Sequence, residues 1–326
     1  MIGTARRLEL GSQPGERLAD GAAVTIVVNR TAGRGSDPGW EDAVAAILGR
    51  RLHPTFVHPA DGDDAARVAL AHARAGAAAV VIAGGDGTVH RVVNAVAATG
   101  TPIALLPRGT ANDLARALGI PTSVETAARR ILDGYVRAVD LIEVDGRAVA
   151  TVGGLGLPAS CALAVRDLKQ ASPLARTALG ALGTSVYPLV AAGTVVLRAG
   201  DVPRVRMTLR EPGGRRLVVE QACHGLLVAN QDTLGGGLVL PTRSRNDDGV
   251  LELALLSPNG RAHLLATLAA LRLGRPVSRR AVGVWRAIEA TLECERPLPF
   301  FGDGEPLDPA RKYTVRVRPG ALRVVC

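Results

Sequence analysis

Aromatic residues are nearly absent from this chain, in which tryptophan, tyrosine and phenylalanine together make up 2% of 326 residues. Proteins that hold single-stranded nucleic acid stack its bases on aromatic rings, and the sequence has no zinc-finger or basic-helix pattern either. The net charge of +9 therefore does not indicate a nucleic-acid partner. It fits an anionic membrane surface or a polyphosphate, or arginines dispersed over solvated helix surfaces.

Cysteine is also scarce, and the four that occur are scattered as Cys161, Cys223, Cys294 and Cys326. Without a C-x-x-C pair or a histidine cluster they predict neither a zinc site nor a disulfide framework, which suits a reducing cytosol. Residues 1–21 are polar and lack the apolar core of a signal peptide. We expect a flexible tail there and a cytoplasmic protein.

A membrane-spanning run is missing as well. Residues 174–197 are largely apolar, but Arg176, Pro188 and several glycines interrupt them. A spanning helix needs about 20 strongly apolar residues, so we expect a buried or groove-lining helix here. At 47% hydrophobic residues, the chain has enough apolar material for the cores of two domains.

The most informative stretch is 80–94. It begins as a β-branched apolar run, breaks at Gly84-Gly85, and resumes apolar spacing at helical period from Val89. This predicts a buried strand, a glycine loop and a helix start. Amides at a helix N-terminus attract anions, phosphate above all. Asp86 would repel phosphate unless a cation or a sugar hydroxyl lies between them, so the stretch predicts a nucleotide together with Mg²⁺.

Strands alternate with helices through the first half of the chain. Residues 24–28 and 102–106 are further apolar strands, with helical spacing between them. Such alternation favours an α/β domain with a parallel sheet and helices on both faces. Ligands bind such sheets at the carboxyl ends of the strands. We expect Asn29 at one such end and Gly109 and Thr110 at another.

Short strands separated by glycine and proline turns fill the second half. They cover residues 202–209, 215–220, 225–229 and 251–256. This pattern is typical of an antiparallel β-sandwich. The sequence therefore predicts a nucleotide-binding domain at 22–137 and a β-rich acceptor-binding domain at 138–326, with room for the last strands to return to the first domain.

Two segments resemble one known family. Gly84-Gly85-Asp86-Gly87-Thr88 resembles the GGDGT motif of the diacylglycerol-kinase-type superfamily, which includes bacterial lipid kinases, sphingosine and ceramide kinases and, more distantly, NAD kinases and phosphofructokinases. Residues 107–116 resemble the P-x-G-T-x-N-D-[FL]-A-R signature of the lipid kinases, which NAD kinases and phosphofructokinases lack. The resemblance implies a Rossmann-like nucleotide domain of the NAD-kinase and diacylglycerol-kinase type followed by the β-sandwich. It also implies transfer of the γ-phosphoryl group of ATP to a lipid hydroxyl, with a diacylglycerol-like acceptor.

The resemblance implies roles for single residues too. Residues 303–306 are similar to the family's D-G-E-P motif, whose glutamate is the proton acceptor, so Glu305 is implied as catalytic together with Asp86. Nucleotide contacts are implied for Asn29, Gly84, Gly85, Asp86, Gly87, Thr88, Gly109, Thr110, Asn112 and Asp113. Asp248, in a segment resembling D-D-G-x-L, is the implied ligand of a structural Mg²⁺. From the residues alone, Asn112 and Asp113 could equally cap a helix, and Asp248 and Glu305 could stand in plain turns.

Two departures from the family's pattern keep other functions open. The lipid kinases usually follow their glycine loop with Asn-Glu where this chain has His90 and Arg91, and Arg91 either contacts phosphate or points into solvent. Residues 153–159 lack the aspartate of the family's G-x-G-x-D-A loop. A non-catalytic nucleotide- or lipid-binding protein on the same fold is one alternative, and a kinase of another acceptor such as NAD is a second. We expect ATP, a lipid and the anionic inner face of a membrane as partners, and a homodimer is left open.

Overall fold

The structure is a computed structural model. It describes residues 15–29, 38–171, 186–198, 200–234, 238–242 and 244–326. Two predicted features lie partly outside these residues: most of the N-terminal tail (1–14) and the start of the apolar segment (174–185).

Four parallel strands form the sheet of the N-terminal half, in the order β2-β1-β3-β4. They are β1 (Ala22–Val28), β2 (Leu52–Val57), β3 (Ala79–Gly84) and β4 (Ile103–Pro107). Every residue of β3 is buried, as expected for a central strand covered by helices on both faces. The predicted parallel α/β sheet is confirmed.

Five helices follow these strands. They are α1 (Trp40–Leu48), α2 (Gly62–Arg74), α3 (Asp86–Val96), α4 (Asp113–Ala117) and α5 (Val124–Asp133). The Asp61 side chain caps α2 by accepting the backbone N–H groups of Asp63 and Asp64. α3 and α4 begin where β3 and β4 end, so both helix N-termini lie at the same edge of the sheet.

In the part of the C-terminal half that the structure describes, antiparallel strands are accompanied by three helices. The strands are β5 (Val136–Val144), β6 (Arg147–Val149), β7 (Val152–Gly156), β8 (Arg204–Arg210), β9 (Arg216–Ala222), β10 (Gly225–Ala229), β11 (Thr233–Leu234), β12 (Leu238–Val239), β13 (Leu251–Leu256), β14 (Val282–Ala287), β15 (Glu289–Gly302) and β16 (Glu305–Val325). The helices are α6 (Leu157–Ala171), α7 (Val186–Arg198) and α8 (Arg261–Arg272).

A bend in β15 creates the predicted sandwich. Its first half pairs with β8, whereas residues 300–302 pair with β7, and the register shifts between Glu293 and Leu298. The two layers enclose one apolar core, in which Met207 and Leu292 from one layer lie with Leu226 and Leu253 from the other. The antiparallel sandwich is therefore confirmed.

One strand joins the two halves into a continuous sheet. β16 pairs antiparallel with β15 and β5, and at its end Val324 pairs in parallel with Ile103 of β4. β5 runs without a break through residue 138, so the sheet itself marks no boundary there. The division at 137/138 stays a prediction.

Helices α6, α7 and α8 lie together beside the sandwich and share a small core of Leu157, Val195 and Leu264. Among the described residues, no helix is both long and apolar enough to cross a membrane.

Candidate active site

The glycine loop between β3 and α3 forms the floor of the site. β3 ends at Gly84, Gly85 is extended, and α3 begins at Asp86 without a side chain capping its start. Gly84 and Gly85 have no side chains that project from this surface, so a ligand can approach the helix N-terminus closely. The positive end of the helix dipole favours an anion at this position.

A second loop, from β4 to α4, lies directly against the first. The backbone N–H of Arg108 donates to the carbonyl of Gly84 at 2.9 Å, and a Cβ on Gly85 would lie 3.0 Å from the Cα of Gly109. The two motifs recognised in the sequence therefore form one backbone surface.

Asp86 ties these loops together. Its carboxylate accepts the backbone N–H groups of Asn112 and Asp113, at 2.9 and 2.7 Å, and so it caps α4 from outside. Asn112 occupies the N-cap position but makes no side-chain cap; its side chain bonds back to the N–H and carbonyl of Gly109. Asp86 is half-buried as a residue, but protein atoms surround its carboxylate closely. The resulting loss of hydration disfavours the charged form and raises the pKa of the carboxyl.

Asn29 reaches the glycine loop from the end of β1. Its Nδ2 donates to Oγ1 of Thr88 at 2.6 Å, and its backbone N–H donates to Ala83 at 3.0 Å. Thr88 is buried in the first turn of α3. The three strand ends β1, β3 and β4 thus converge at one point, as the sequence predicts.

The hairpin between β15 and β16 brings the predicted catalytic glutamate to this floor. Asp303 and Gly304 both have positive φ, 53° and 85°, as a two-residue type I′ turn requires. Glu305 follows as the first residue of β16, and its Oε1 lies 3.2 Å from the position that a Cβ on Gly87 would take. Glu305 therefore both follows a plain hairpin turn and lies close to the glycine loop. The interpretation as a turn residue does not exclude the interpretation as a catalytic residue.

A single cavity of about 530 Å³ connects these elements. Its polar end contains most of the predicted site residues: Asn29, Gly85, Asp86, Gly87, Thr88, Gly109, Thr110, Asp113 and Glu305. Gly84 and Asn112 lie immediately behind, bonded to Arg108 and Gly109. The other end is apolar, with Leu157, Val165, Leu227, Leu240, Leu268 and Phe301 in its wall.

The sequence interpretation missed two parts of this cavity. One is the apolar wall, whose described residues come from α6, α7, α8 and five strands, so its members are far apart in the sequence. The other is Asp303, whose carboxylate accepts hydrogen bonds from His90, Ala150 and Thr151. The only local signal for Asp303 was its place in the turn before Glu305.

Arg91 lies along the wall of the cavity rather than pointing away from it. Its Nε is 3.2 Å from Oδ1 of Asp63, and its guanidinium covers Gly62 at the start of α2, where a Cβ would lie within 3 Å of it. The Asp63 carboxylate is largely exposed, so the pair is a weak, solvent-screened one.

Asp248 does not line the cavity. It lies in the turn before β13, where its carboxylate accepts the backbone N–H of Val250 at 3.1 Å and pairs with Arg286 at 2.7 Å. Arg286 also bonds Glu252, and among the described residues no group of three or more acidic, histidine or cysteine side chains could hold a metal ion. A guanidinium between these two carboxylates does not fit a structural Mg²⁺ there.

Comparison with known proteins places this arrangement in a family. A family model described as the diacylglycerol kinase catalytic domain matches residues 23–144, and one described as the YegS C-terminal NAD kinase beta sandwich-like domain matches 207–326. A Pseudomonas aeruginosa protein named "Probable lipid kinase YegS-like" is 35% identical over 303 residues, which cover 89% of this chain and 91% of that protein. This chain belongs to the diacylglycerol-kinase-like family of lipid kinases.

Other relatives match almost the whole length of this chain. A Mycobacterium tuberculosis protein named "Diacylglycerol kinase" is 25% identical over 336 aligned positions, covering 99% of this chain and 97% of its own. A crystal structure described as a diacylglycerol kinase from Bacillus anthracis superposes with a TM-score of 0.69 at 19% identity, over 94% of this chain and 97% of that one. The predicted fold class and the predicted lipid-kinase family are therefore confirmed.

Proposed function

We propose that this kinase transfers the γ-phosphoryl group of ATP to the hydroxyl of a lipid, with a diacylglycerol-like molecule as the acceptor. The observation that carries the proposal is the composition of one cavity, whose polar end joins the glycine loop to Glu305 and whose other end is apolar. A triphosphate suits the first end, and an acyl chain suits the second.

Glu305 is the proposed base. An acceptor hydroxyl between Glu305 and the γ-phosphate would give its proton to the carboxylate while its oxygen forms the new P–O bond and the β–γ bridge breaks, leaving ADP. Such transfer depends on positioning and on neutralising charge rather than on a covalent enzyme intermediate. The contact of Glu305 with the position above Gly87 supports this placement.

The charge of the cavity wall supports Mg²⁺ as the companion of ATP. Among the described residues that line the cavity, five are acidic and two are arginines, Arg91 and Arg166. The acidic residues are Asp61, Asp86, Asp113, Asp303 and Glu305. A triphosphate would be repelled by such a wall unless a divalent cation came with it. Asp86 would then act through Mg²⁺ or a bound water while its carboxylate holds the two loops together.

We expect the kinase to take its acceptor from an anionic membrane surface on the cytoplasmic side. Residues 253–288 contain six arginines and no acidic residue. Leu273, at the end of α8, is 63% exposed, and Leu197 in α7 is 82% exposed. Exposed leucines near arginines suit the interface of an anionic bilayer. Sedimentation should show binding to vesicles with phosphatidylglycerol that weakens with salt; equal binding to neutral phosphatidylcholine vesicles would contradict this.

The transfer itself is tested with [γ-³²P]ATP and a panel of diacylglycerols, sphingoid bases and phosphatidylglycerol. We expect label in at least one lipid and a loss of about 100-fold or more in kcat for Glu305→Gln, the size expected when a positioned base is removed. ATP binding by the variant should be retained. Intact ATP binding by the wild type with no labelled lipid would refute the kinase assignment, and an unchanged rate in Glu305→Gln would remove that residue from its role.

Neither alternative has an observation that favours it over this proposal. Arg91, which motivated a non-catalytic protein, pairs with Asp63 and leaves Glu305 facing Gly87. An NAD acceptor would place a charged pyrophosphate against an apolar wall, which is unfavourable. Lipid or ATP binding without turnover would nevertheless support the first alternative, and formation of NADP from NAD and ATP would support the second.

A further inference from the structure

A histidine–aspartate pair joins α3 to the hairpin that carries Glu305. Nδ1 of His90 lies 2.9 Å from Oδ2 of Asp303, and both side chains are largely buried, at 13% and 7% exposed. The two residues are 213 positions apart in the chain. Because the acceptor is a carboxylate oxygen, Nδ1 carries the proton of this hydrogen bond.

The hairpin lies beside α3 at Gly87 as well as at His90, and these two residues are one helical turn apart. Gly87 in the first turn faces Glu305, and His90, three residues later, contacts Asp303. Residues three apart lie on the same face of a helix. The face of α3 that begins at the glycine loop therefore also fixes the turn next to the proposed base.

We propose that His90 is a positioning residue, which through Asp303 holds Glu305 at its distance from the glycine loop. The kinetic part of this inference rests on the proposed function; the structural part does not. His90 itself contacts neither ATP nor the acceptor in this scheme, and it acts only by fixing where the hairpin lies relative to α3.

The other partners of Asp303 explain why the effect should be on position rather than on folding. Its carboxylate accepts the backbone N–H groups of Ala150 and Thr151 and the hydroxyl of Thr151, at 2.9, 2.8 and 2.6 Å. These donors belong to the connection between β6 and β7, on the hairpin's own side of the cavity. Without His90, Asp303 keeps three of its four described donors, so the turn persists while its described hydrogen bond to α3 is lost.

Substitutions at position 90 can separate hydrogen bonding from simple packing. Asparagine places an N–H donor close to where Nδ1 of histidine lies, whereas glutamine places its donor near the position of Nε2. His90→Ala removes the donor altogether. His72→Ala is the matched control, because His72 is also hydrogen-bonded in the nucleotide half, at 3.1 Å from Thr25, but lies on α2 away from the hairpin.

The first readout is hydrogen–deuterium exchange of residues 298–308, which needs no enzyme activity. We expect faster exchange there in His90→Ala, near wild-type exchange in His90→Asn, and no change in His72→Ala. The second readout is kinetics with the lipid that the wild type phosphorylates. A displacement of the base should lower kcat by about 10- to 100-fold with KM for ATP within about twofold, and His90→Asn should recover most of the rate.

A double substitution decides between positioning and general damage. In a Glu305→Gln background, His90→Ala should have no further effect on kcat, because the group that it positions is already absent. Unchanged exchange at 298–308 in His90→Ala would overturn the inference, as would a full additional loss in the Glu305→Gln background. Should the wild type phosphorylate no lipid, the proposed function fails, while the exchange measurement still decides whether His90 holds the hairpin.

Discussion

Gly85 and Gly109 approach each other so closely that a Cβ on Gly109 would lie 2.5 Å from the Cα of Gly85. Non-bonded carbon atoms prefer a separation of about 3.5–4.0 Å, so only glycine fits at position 109. The same Cβ would lie 2.8 Å from Oδ1 of Asn112. This contact makes the two loops one surface, and any separation of the loops would also break the bonds that Asp86 makes to α4.

We therefore predict that Gly109→Ala destabilises the kinase and weakens ATP binding together. The added methyl group must push one backbone away from another, a distortion that costs about 1–3 kcal/mol. The affinity for ATP should fall by about tenfold, equivalent to about 1.4 kcal/mol. Urea unfolding and isothermal titration calorimetry measure the two effects.

Gly193→Ala is the matched control for this change. Gly193 lies within α7 and has open space where a Cβ would be. Alanine there should leave ATP binding unchanged and stabilise the helix by up to about 1 kcal/mol. Equal effects of the two substitutions would show that the contact between Gly85 and Gly109 does not shape the nucleotide site.

A milder change at the same floor should affect the rate more than the fold. In Gly87→Ala the new Cβ would lie 3.2 Å from Oε1 of Glu305, and the flexible end of that side chain can move by a few tenths of an ångström. We expect kcat to fall by about tenfold because the proposed base is displaced, with stability within about 0.5 kcal/mol of wild type. Combining it with Glu305→Gln should abolish the kinetic effect; a persisting tenfold loss would argue that Gly87 acts through the nucleotide instead.

The raised pKa of Asp86 leads to a prediction about pH and stability. Burial raises the pKa of this carboxyl above its ordinary value, so the folded state binds the proton more tightly than the unfolded state does. The contribution of Asp86 to stability is therefore greatest below the unfolded pKa of about 3.9 and is lost as the pH rises through the folded pKa. Asp86→Asn has no such titration.

Urea unfolding of the wild type and Asp86→Asn between pH 4 and 7 tests this. The free energy of unfolding of the wild type should fall relative to that of the variant as the pH increases across this range. A difference that stays constant with pH would contradict the raised pKa. A difference that grows in favour of the wild type would mean that the two backbone N–H donors outweigh the burial.

The sequence predicted those parts of the site that depend on local motifs. Glycines, a strand end and a helix start lie within a few residues of each other at Gly84–Thr88, so their backbone conformation could be inferred before the fold was known. The approach of Glu305 to that loop came only from the resemblance to a family, because no local pattern relates residues 87 and 305. The structure supplies a link: Asp303, two residues before Glu305, is hydrogen-bonded to His90, three residues after Gly87.

Other features needed the three-dimensional structure because their partners are distant in sequence. Asn112 has the residue type of a helix cap, yet its φ of 50° turns its side chain toward Gly109 and leaves the capping to Asp86. The bond between His90 and Asp303 spans 213 positions, and nothing within either segment indicates it. Arg286 beside Asp248 is likewise invisible in the D-D-G-x-L pattern, since it comes from the neighbouring strand β14.

Cys161 offers a chemical probe of the apolar end of the cavity. Cys161 lies on α6, lines the apolar end of the cavity and is half-buried. The three remaining cysteines are buried. Burial raises the pKa of Cys223 to about 12 and that of Cys294 to about 11, and it raises the pKa of Cys326 as well. A protonated thiol is a poor nucleophile, so N-ethylmaleimide at pH 7.5 should modify Cys161 first.

An acyl chain in the cavity should protect this thiol. We expect dioleoylglycerol in mixed micelles to slow the labelling of Cys161 by about tenfold, the occupancy expected for a ligand at about ten times its Kd, whereas micelles of detergent alone should not. Cys161→Ser, which should take up no label at early times, identifies the reacting residue by mass spectrometry. Labelling of Cys161 at the same rate with and without the lipid would show that acyl chains do not enter the space between α6 and the sheet, and the acceptor would then have to bind outside this cavity.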